Sequence, residues 1–313
     1  MKLALSEVDI FYISYDEPNC EKNWADLLEK APWAKRVHKV KGFDAAHKAC
    51  ANQSETDRFI TVDGDNIVDE KLFDIILDIP EKYERAALSW NSVNAVNGLI
   101  YGNGGVKLWT KDFVLNMKSH EAAESEAEKL DFCWDNNYLQ LNSVLSTTYP
   151  NGSGFQAFRA GFREGVKMTL DQGNKLDRVQ VKKRIHDANL KRLLIWASVG
   201  ADADHGLFSI LGTRMGVHAA NIDAGFDLAN ISDYGWFTDY GSAVIESFYN
   251  EAGDLLEDKL VRKINELGDV ITKHMGLPMC LLDATQSEFF KAVYQHPNQQ
   301  YSVKLEQEVT SKF

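Results

Sequence analysis

The chain has little of what builds cross-linked, repetitive or membrane-embedded proteins. Its four cysteines, Cys20, Cys50, Cys133 and Cys280, are scattered without a Cys-x-x-Cys pair, which argues against a cysteine zinc site or a disulfide framework and fits a reducing compartment. Six prolines and 21 glycines in 313 residues are too few for low-complexity linkers. Apolar runs are short. The opening Leu3-Ala4-Leu5 gives way to Glu7 and Asp9, and nothing later approaches the ~20 residues of a membrane span, so a soluble, cytoplasmic chain is expected. Positive charge is also scarce. With 34 Lys and Arg against 46 Asp and Glu, the net charge of −12 argues against a protein that coats nucleic acid through a broad basic surface, though a local basic groove stays open. What remains, 44% hydrophobic and 26% charged, is ordinary globular composition, enough for one large α/β domain or two modest ones.

The first third alternates. Residues 8–14 form a short run rich in Val, Ile, Phe and Tyr that reads as a buried strand. Turn chemistry follows at 15–19, then a helix through 24–29, a strand at 36–40, a helix at 45–51 and a strand at 59–62. Strand, helix, strand, helix, strand within sixty residues predicts an α/β fold built on a mostly parallel sheet, with ligands beyond the carboxyl ends of its strands. Those ends fall at residues 14–17 and 63–65. Farther on, 86–90, 99–101 and 106–109 read as strands, and 121–129, 155–168 and 190–199 as helices. From Tyr234 the pattern is helical, with 243–249 and 255–267 as its best segments.

Asp63-Gly64-Asp65 is the sharpest motif. Two carboxylates at i and i+2 around a glycine, directly after a buried strand, can approach one hard cation, and Mg²⁺ or Mn²⁺ is commonly held by one or two carboxylates plus substrate phosphates. An ordinary strand-ending turn has the same composition.

The surrounding sequence narrows this. The run Val40-Lys41-Gly42-Phe43-Asp44-Ala45-Ala46-His47-Lys48-Ala49-Cys50, followed by Phe59-Ile60-Thr61-Val62-Asp63-Gly64-Asp65, resembles glycosyltransferases of the GT-A fold. The opening Asp9-Ile10-Phe11-Tyr12-Ile13-Ser14-Tyr15-Asp16-Glu17-Pro18-Asn19 looks like the first strand and nucleotide loop of that fold. More narrowly, residues 13–19 and 97–108 are similar to glycosyltransferases of tailed bacteriophages, in particular those related to T4-like DNA arabinosyltransferases. The resemblance is good over residues 8–110, looser to about 218, and absent beyond.

It implies a Rossmann-like, mixed but mostly parallel sheet flanked by helices, with a catalytic domain over 1–225 and a helical extension over 226–313. It also implies a UDP-sugar donor and a divalent ion, Mn²⁺ or Mg²⁺, on Asp63 and Asp65. Ser14, Tyr15 and Asp16 would hold base and ribose, with Lys41, His47 and Lys48 near the nucleotide. In such enzymes a late histidine often completes the metal site. His218 is preferred here, because the small-residue stretch 212–220 can pass close to a diphosphate; His205 is the alternative, and Asp202 and Asp204 form a second, weaker metal candidate. Asp131, or else Asp135, lies where the fold carries a catalytic base. For each residue an ordinary structural explanation (a helix cap, a solvated face or a core histidine) stands beside the functional one.

One basic stretch, Lys175, Arg178, Lys182, Lys183, Arg184, His186, Lys191 and Arg192, departs from the acidic whole. It reads either as a solvated helix face or as a local grip on a nucleic-acid backbone. With the resemblance, the acceptor expected is 5-hydroxy- or 5-hydroxymethylcytosine in phage DNA, within an infected bacterial cell. Trp90, Trp109 and Phe155 are then candidates to support an exposed base. A protein, glycan or small-molecule acceptor, a non-catalytic binding protein of the same fold, and a nucleotidyltransferase remain alternatives. The last lacks a glycine- and lysine-rich phosphate loop after its first strand, where Tyr15-Asp16-Glu17-Pro18-Asn19 stands instead.

Overall fold

The computed structural model describes residues 1–101, 105–117, 137–171 and 173–294. Its first half alternates strands and helices: β1 (Lys2–Ala4), β2 (Asp9–Ser14), α1 (Cys20–Lys30), β3 (Lys35–His38), α2 (Phe43–Gln53), β4 (Arg58–Asp63), β5 (Asn66–Val68), β6 (Ile76–Asp78), β7 (Ala87–Asn94), β8 (Ile100–Tyr101), β9 (Val106–Thr110), α3 (Lys111–Asn116) and β10 (Tyr138–Thr148). The second half is helical: α4 (Gly154–Lys167), α5 (Val181–Arg184), α6 (Asp187–Trp196), α7 (Gly206–Asn221), α8 (Tyr234–Glu246), α9 (Glu257–Met275) and α10 (Ala284–Val293).

Among the described residues the main sheet has eight strands in the order β3-β2-β4-β9-β7-β10-β5, with β8 beside β7. Strands β3, β2 and β4 run parallel, as do β7 and β10, while β9 is antiparallel to both β4 and β7. This is a mixed α/β sheet of the Rossmann-like kind. Its central strands are covered on both faces, which is why they read as continuous apolar runs rather than alternating ones. Ile10, Tyr12, Ile60 and Val62 pack into one cluster with Leu27 of α1, and Phe11 and Phe59 into another with Cys50 of α2 and Val114 of α3. Each such fully buried side chain contributes about 1.5–3 kcal/mol relative to exposure.

A second core holds the helices together. Phe158 and Phe162 of α4, Phe208 and Leu211 of α7, Phe237 of α8 and Leu260 and Ile264 of α9 share one cluster. The helices expected as an extension beyond residue 225 thus bury their apolar faces against α4 and α7. Helices α4 and α7 meet through glycine: a methyl at Gly161 or Gly165 would strike the backbone of Ser209 or Thr213, and one at Gly212 or Gly216 the carbonyl of Phe158 or Phe162. The small-residue stretch 212–220 is therefore the contact face of a buried helix. It lies backbone against backbone with α4, which leaves no space beside it for a diphosphate.

Candidate functional site

Strands β2, β4, β7 and β10 all end on one edge of the sheet, because β2 and β4 are parallel, β9 is antiparallel to both β4 and β7, and β10 follows β7. Ile13 pairs with Asp63 in the β2–β4 register, so the loop from Ser14 to Glu17 and the Asp63-Gly64-Asp65 turn emerge side by side. The turn is braced from beneath. Tyr12 Oη and Asn23 Nδ2 both donate to the Gly64 carbonyl, at 2.6 and 3.1 Å, and Asp63 N donates to Gly105 O at 2.8 Å. Side chains are excluded at two points. A Cβ on Gly105 would overlap Asn66 and Asp63, and one on Gly64 would lie 2.8 Å from the Glu17 carboxylate.

The two aspartates differ in surroundings. Asp63 has 39% of its side chain exposed, and Oδ2 lies 3.5 Å from Nζ of Lys107, a lysine whose side chain is only 5% exposed. Asp65 is fixed by a relay: Ser92 Oγ meets Thr148 Oγ1 at 2.7 Å, Thr148 donates to Asn66 Oδ1 at 3.0 Å, and Asn66 Nδ2 donates to Asp65 Oδ1 at 2.8 Å. Burial raises the Asp65 carboxyl to about 7, with further push from the Asp63 and Glu17 charges. A carboxylate that resists ionisation beside two others is poised to exchange its proton for a cation. This donor chemistry fits a hard divalent ion. Among the described residues no three His, Cys, Asp or Glu side chains come close enough to hold one by themselves.

The far wall comes from the helices and was not anticipated in the sequence. Tyr234, which opens α8, donates its hydroxyl to Asp16 Oδ2 at 2.7 Å. The Arg159 guanidinium of α4 lies 5.1 Å from the Tyr234 ring centre and 5.6 Å from that of Phe237. Burial and the neighbouring Arg163 push Arg159 down to about 10, opposed by Tyr234, Asp16 and Asp65. Two arginines at i and i+4 were the only hint in the sequence, and such a pair usually marks a solvated face. The fold brings them to the acidic turn because Tyr149 N, just before α4, donates to Asp65 O at 2.7 Å.

The other expected residues are distributed as follows. Ser14 is buried and its hydroxyl engages His38 Nδ1 at 2.9 Å and Arg36 Nε at 3.0 Å, so it ties β2 to β3. Tyr15 and Asp16 stand exposed at the sheet edge, and Lys41 is exposed before α2. His47 is 2% exposed, stacked 3.9 Å from Phe43 and edge-on to Trp109; burial lowers it to about 4, so it is neutral. Lys48 pairs with Asp44 of its own helix at 2.8 Å. His218 lies near Asp223, Lys263 and His274, with burial lowering its basicity, and forms no metal-holding group with Asp63 and Asp65. His205 caps α7 in a left-handed conformation, Asp202 pairs with Lys291 at 2.5 Å, and the Asp204 carbonyl accepts from Asn151 at 2.8 Å. Trp90 and Trp109 are corrected to core residues: both are fully buried, on opposite faces of the sheet, and cannot stack on a base. Phe155 packs edge-on to Tyr234 at 6.1 Å. Asp131, Asp135 and the helix expected at 121–129 lie outside the described residues. In the basic stretch, Arg178, Lys182, Lys183 and Lys191 are exposed, Arg184 pairs with Asp171 at 3.1 Å, and Lys175 donates to Phe226 O at 2.7 Å.

No family model and no curated protein matches this sequence. Solved structures match over part of it. They include a protein described as a glucose-1-phosphate thymidylyltransferase from Bacillus anthracis, 11% identical with a TM-score of 0.26, over 44% of this chain and 87% of that one. HddC from Yersinia pseudotuberculosis is 10% identical with a TM-score of 0.25, over 44% and 91%. Likenesses at this level carry no argument about chemistry. Among the described residues no helix is long and apolar enough to cross a membrane.

Proposed function

We propose that this chain is a nucleotide-sugar enzyme, and specifically a metal-dependent glycosyltransferase that moves a pentose or hexose from a UDP-sugar to a hydroxyl acceptor. The observation that carries the reading is the placement of Asp63-Gly64-Asp65. The turn sits at the carboxyl end of a buried parallel strand, beside the β2 loop, with Asp65 desolvated and held by Asn66. Asp63 and Asp65 would hold Mn²⁺ or Mg²⁺, which supplies positive charge to the departing diphosphate. Tyr15 and Asp16, exposed on the adjacent loop, would meet the base and ribose. Lys107 keeps the outer carboxylate oriented.

In the transfer, the bond from the sugar's anomeric carbon to the phosphate oxygen breaks as a bond to the acceptor oxygen forms. The acceptor proton passes to a carboxylate base if the configuration inverts, for which we propose Asp131. The acceptor we place first is 5-hydroxy- or 5-hydroxymethylcytosine in DNA. It is supported by the phage-enzyme resemblance and by the exposed Lys182 and Lys183 on α5.

A transfer assay read by intact mass tests this: UDP-sugars and Mn²⁺ with DNA carrying plain, 5-hydroxy- or 5-hydroxymethylcytosine. A pentose or hexose increment on modified DNA alone, lost with chelator, is the expected result. An increment on plain DNA, or one indifferent to chelator, contradicts the corresponding part of the reading.

A further inference from the structure

The guanidinium of Arg159 stands in the site without a protein acceptor among the described residues. Among the described residues it makes no hydrogen bond and no ion pair, its Nε is fully buried without an acceptor, and its contacts are with the faces of Tyr234 and Phe237. A guanidinium carries five N–H donors, and leaving the buried Nε–H unpaired away from water is costly. Proteins retain such a group when something outside the chain accepts from it.

Its position says what kind of anion. Arg159 belongs to the helix that follows Tyr149, and Tyr149 N is bonded to the backbone of Asp65. The Tyr234 ring that it stacks on is tied through its hydroxyl to Asp16, on the loop after β2. The arginine therefore closes the acidic turn and the β2 loop from the helical side. Any ligand between them meets carboxylates on one wall and a guanidinium on the other. A singly charged anion has no use for both walls. A diphosphate does, because it can present some oxygens to the carboxylate-held cation and others to the arginine.

We infer that Arg159 is the direct protein ligand of the donor's diphosphate, with Tyr234 and Phe237 as the aromatic bed that holds its guanidinium plane in place. This rests on the donor-site reading above and adds to it a diphosphate contact independent of the metal. Guanidinium recognises phosphate through paired, charge-assisted hydrogen bonds, which lysine cannot reproduce.

Calorimetry with inorganic pyrophosphate and with UDP, each in chelator and with Mn²⁺, tests it on the full chain. Wild type is expected to bind pyrophosphate in chelator. Arg159→Gln should weaken that binding by about tenfold or more, Arg159→Lys should fall between them, and Asp65→Asn should bind at least as tightly as wild type once a repelling carboxylate is gone. Arg159→Gln binding within about twofold of wild type overturns the inference, as does loss of affinity for a single-stranded oligonucleotide with UDP and pyrophosphate unaffected. Pyrophosphate binding through Arg159 without any UDP binding would keep the inference and remove the nucleotide-sugar reading. UDP binding that needs Mn²⁺ but ignores Arg159 would do the reverse.

Discussion

Replacing Asp65 by asparagine should make the metal-free protein more stable at every pH where the unfolded chain would ionise this carboxyl. Burial and the Asp63 and Glu17 charges raise this group from the ordinary 3.8 to about 7 in the folded chain. Between those two values the folded state holds a proton that the unfolded state has released, so stability falls as pH rises from about 4 through about 7. The full difference corresponds to about 4 kcal/mol at 1.36 kcal/mol for each tenfold change in acidity, an upper bound because the site edge admits some water. Asparagine has the same shape and can still accept from Asn66 Nδ2, so the relay through Thr148 survives. For a chain of this size the gain is expected as a rise of about 4–8 °C in melting temperature near pH 8 in chelator, shrinking to about 2–3 °C near pH 5 and to nearly nothing near pH 3. Differential scanning fluorimetry on both proteins reads this directly. Adding Mn²⁺ near pH 8 should raise the wild-type midpoint and leave Asp65→Asn nearly unmoved. Equal midpoints at both pH values, or an asparagine variant less stable near pH 8, would refute the argument that Asp65 carries the strain of the site.

Gly212→Ala should destabilise by at least about 1–3 kcal/mol, because its methyl points at the Phe158 carbonyl and forces α4 and α7 apart; urea denaturation checks this, and an unchanged midpoint contradicts the backbone contact. Replacing Lys182, Lys183 and Arg184 together with alanine should leave the melting temperature nearly unchanged, since all three are exposed and the Arg184–Asp171 pair is a surface one. The same variant should weaken binding to DNA and flatten its salt dependence. A salt slope equal to wild type would return the stretch to a solvated surface.

How much of this could be read beforehand depended on local physics. Strands β2, β3 and β4 and helices α1 and α2 were visible because residues such as Ile10, Phe11, Ile60 and Val62 are apolar on both faces, and the intervening helices have short, distinct connections. The acidic turn was visible for the same reason, since a strand that ends in Asp-Gly-Asp announces its own carboxyl edge. Strand β10 was not visible. Its pairing with β7 shifts register twice, between Gln140 and Val144 and between Val144 and Ser146, which breaks the alternation a sequence reading relies on. Gly212 and Gly216 misled because a glycine that admits a phosphate and one that admits a neighbouring helix are the same residue in sequence. Arg159 was invisible as a site residue: only the packing of α8 onto α4 places Tyr234 and Phe237 beneath its guanidinium. Trp90 and Trp109 show the converse, aromatics that suggested an exposed platform and proved to be the centres of two core clusters.

The central claim is that the carboxyl edge of β2 and β4 is a metal-assisted nucleotide-diphosphate site. Titrating UDP into wild type and Asp65→Asn by calorimetry, with Mn²⁺ and then with chelator, tests it most directly. The account predicts Mn²⁺-dependent UDP binding by wild type that Asp65→Asn loses while remaining folded. UDP binding that survives Asp65→Asn at full strength in Mn²⁺, or no UDP binding by wild type, would contradict it.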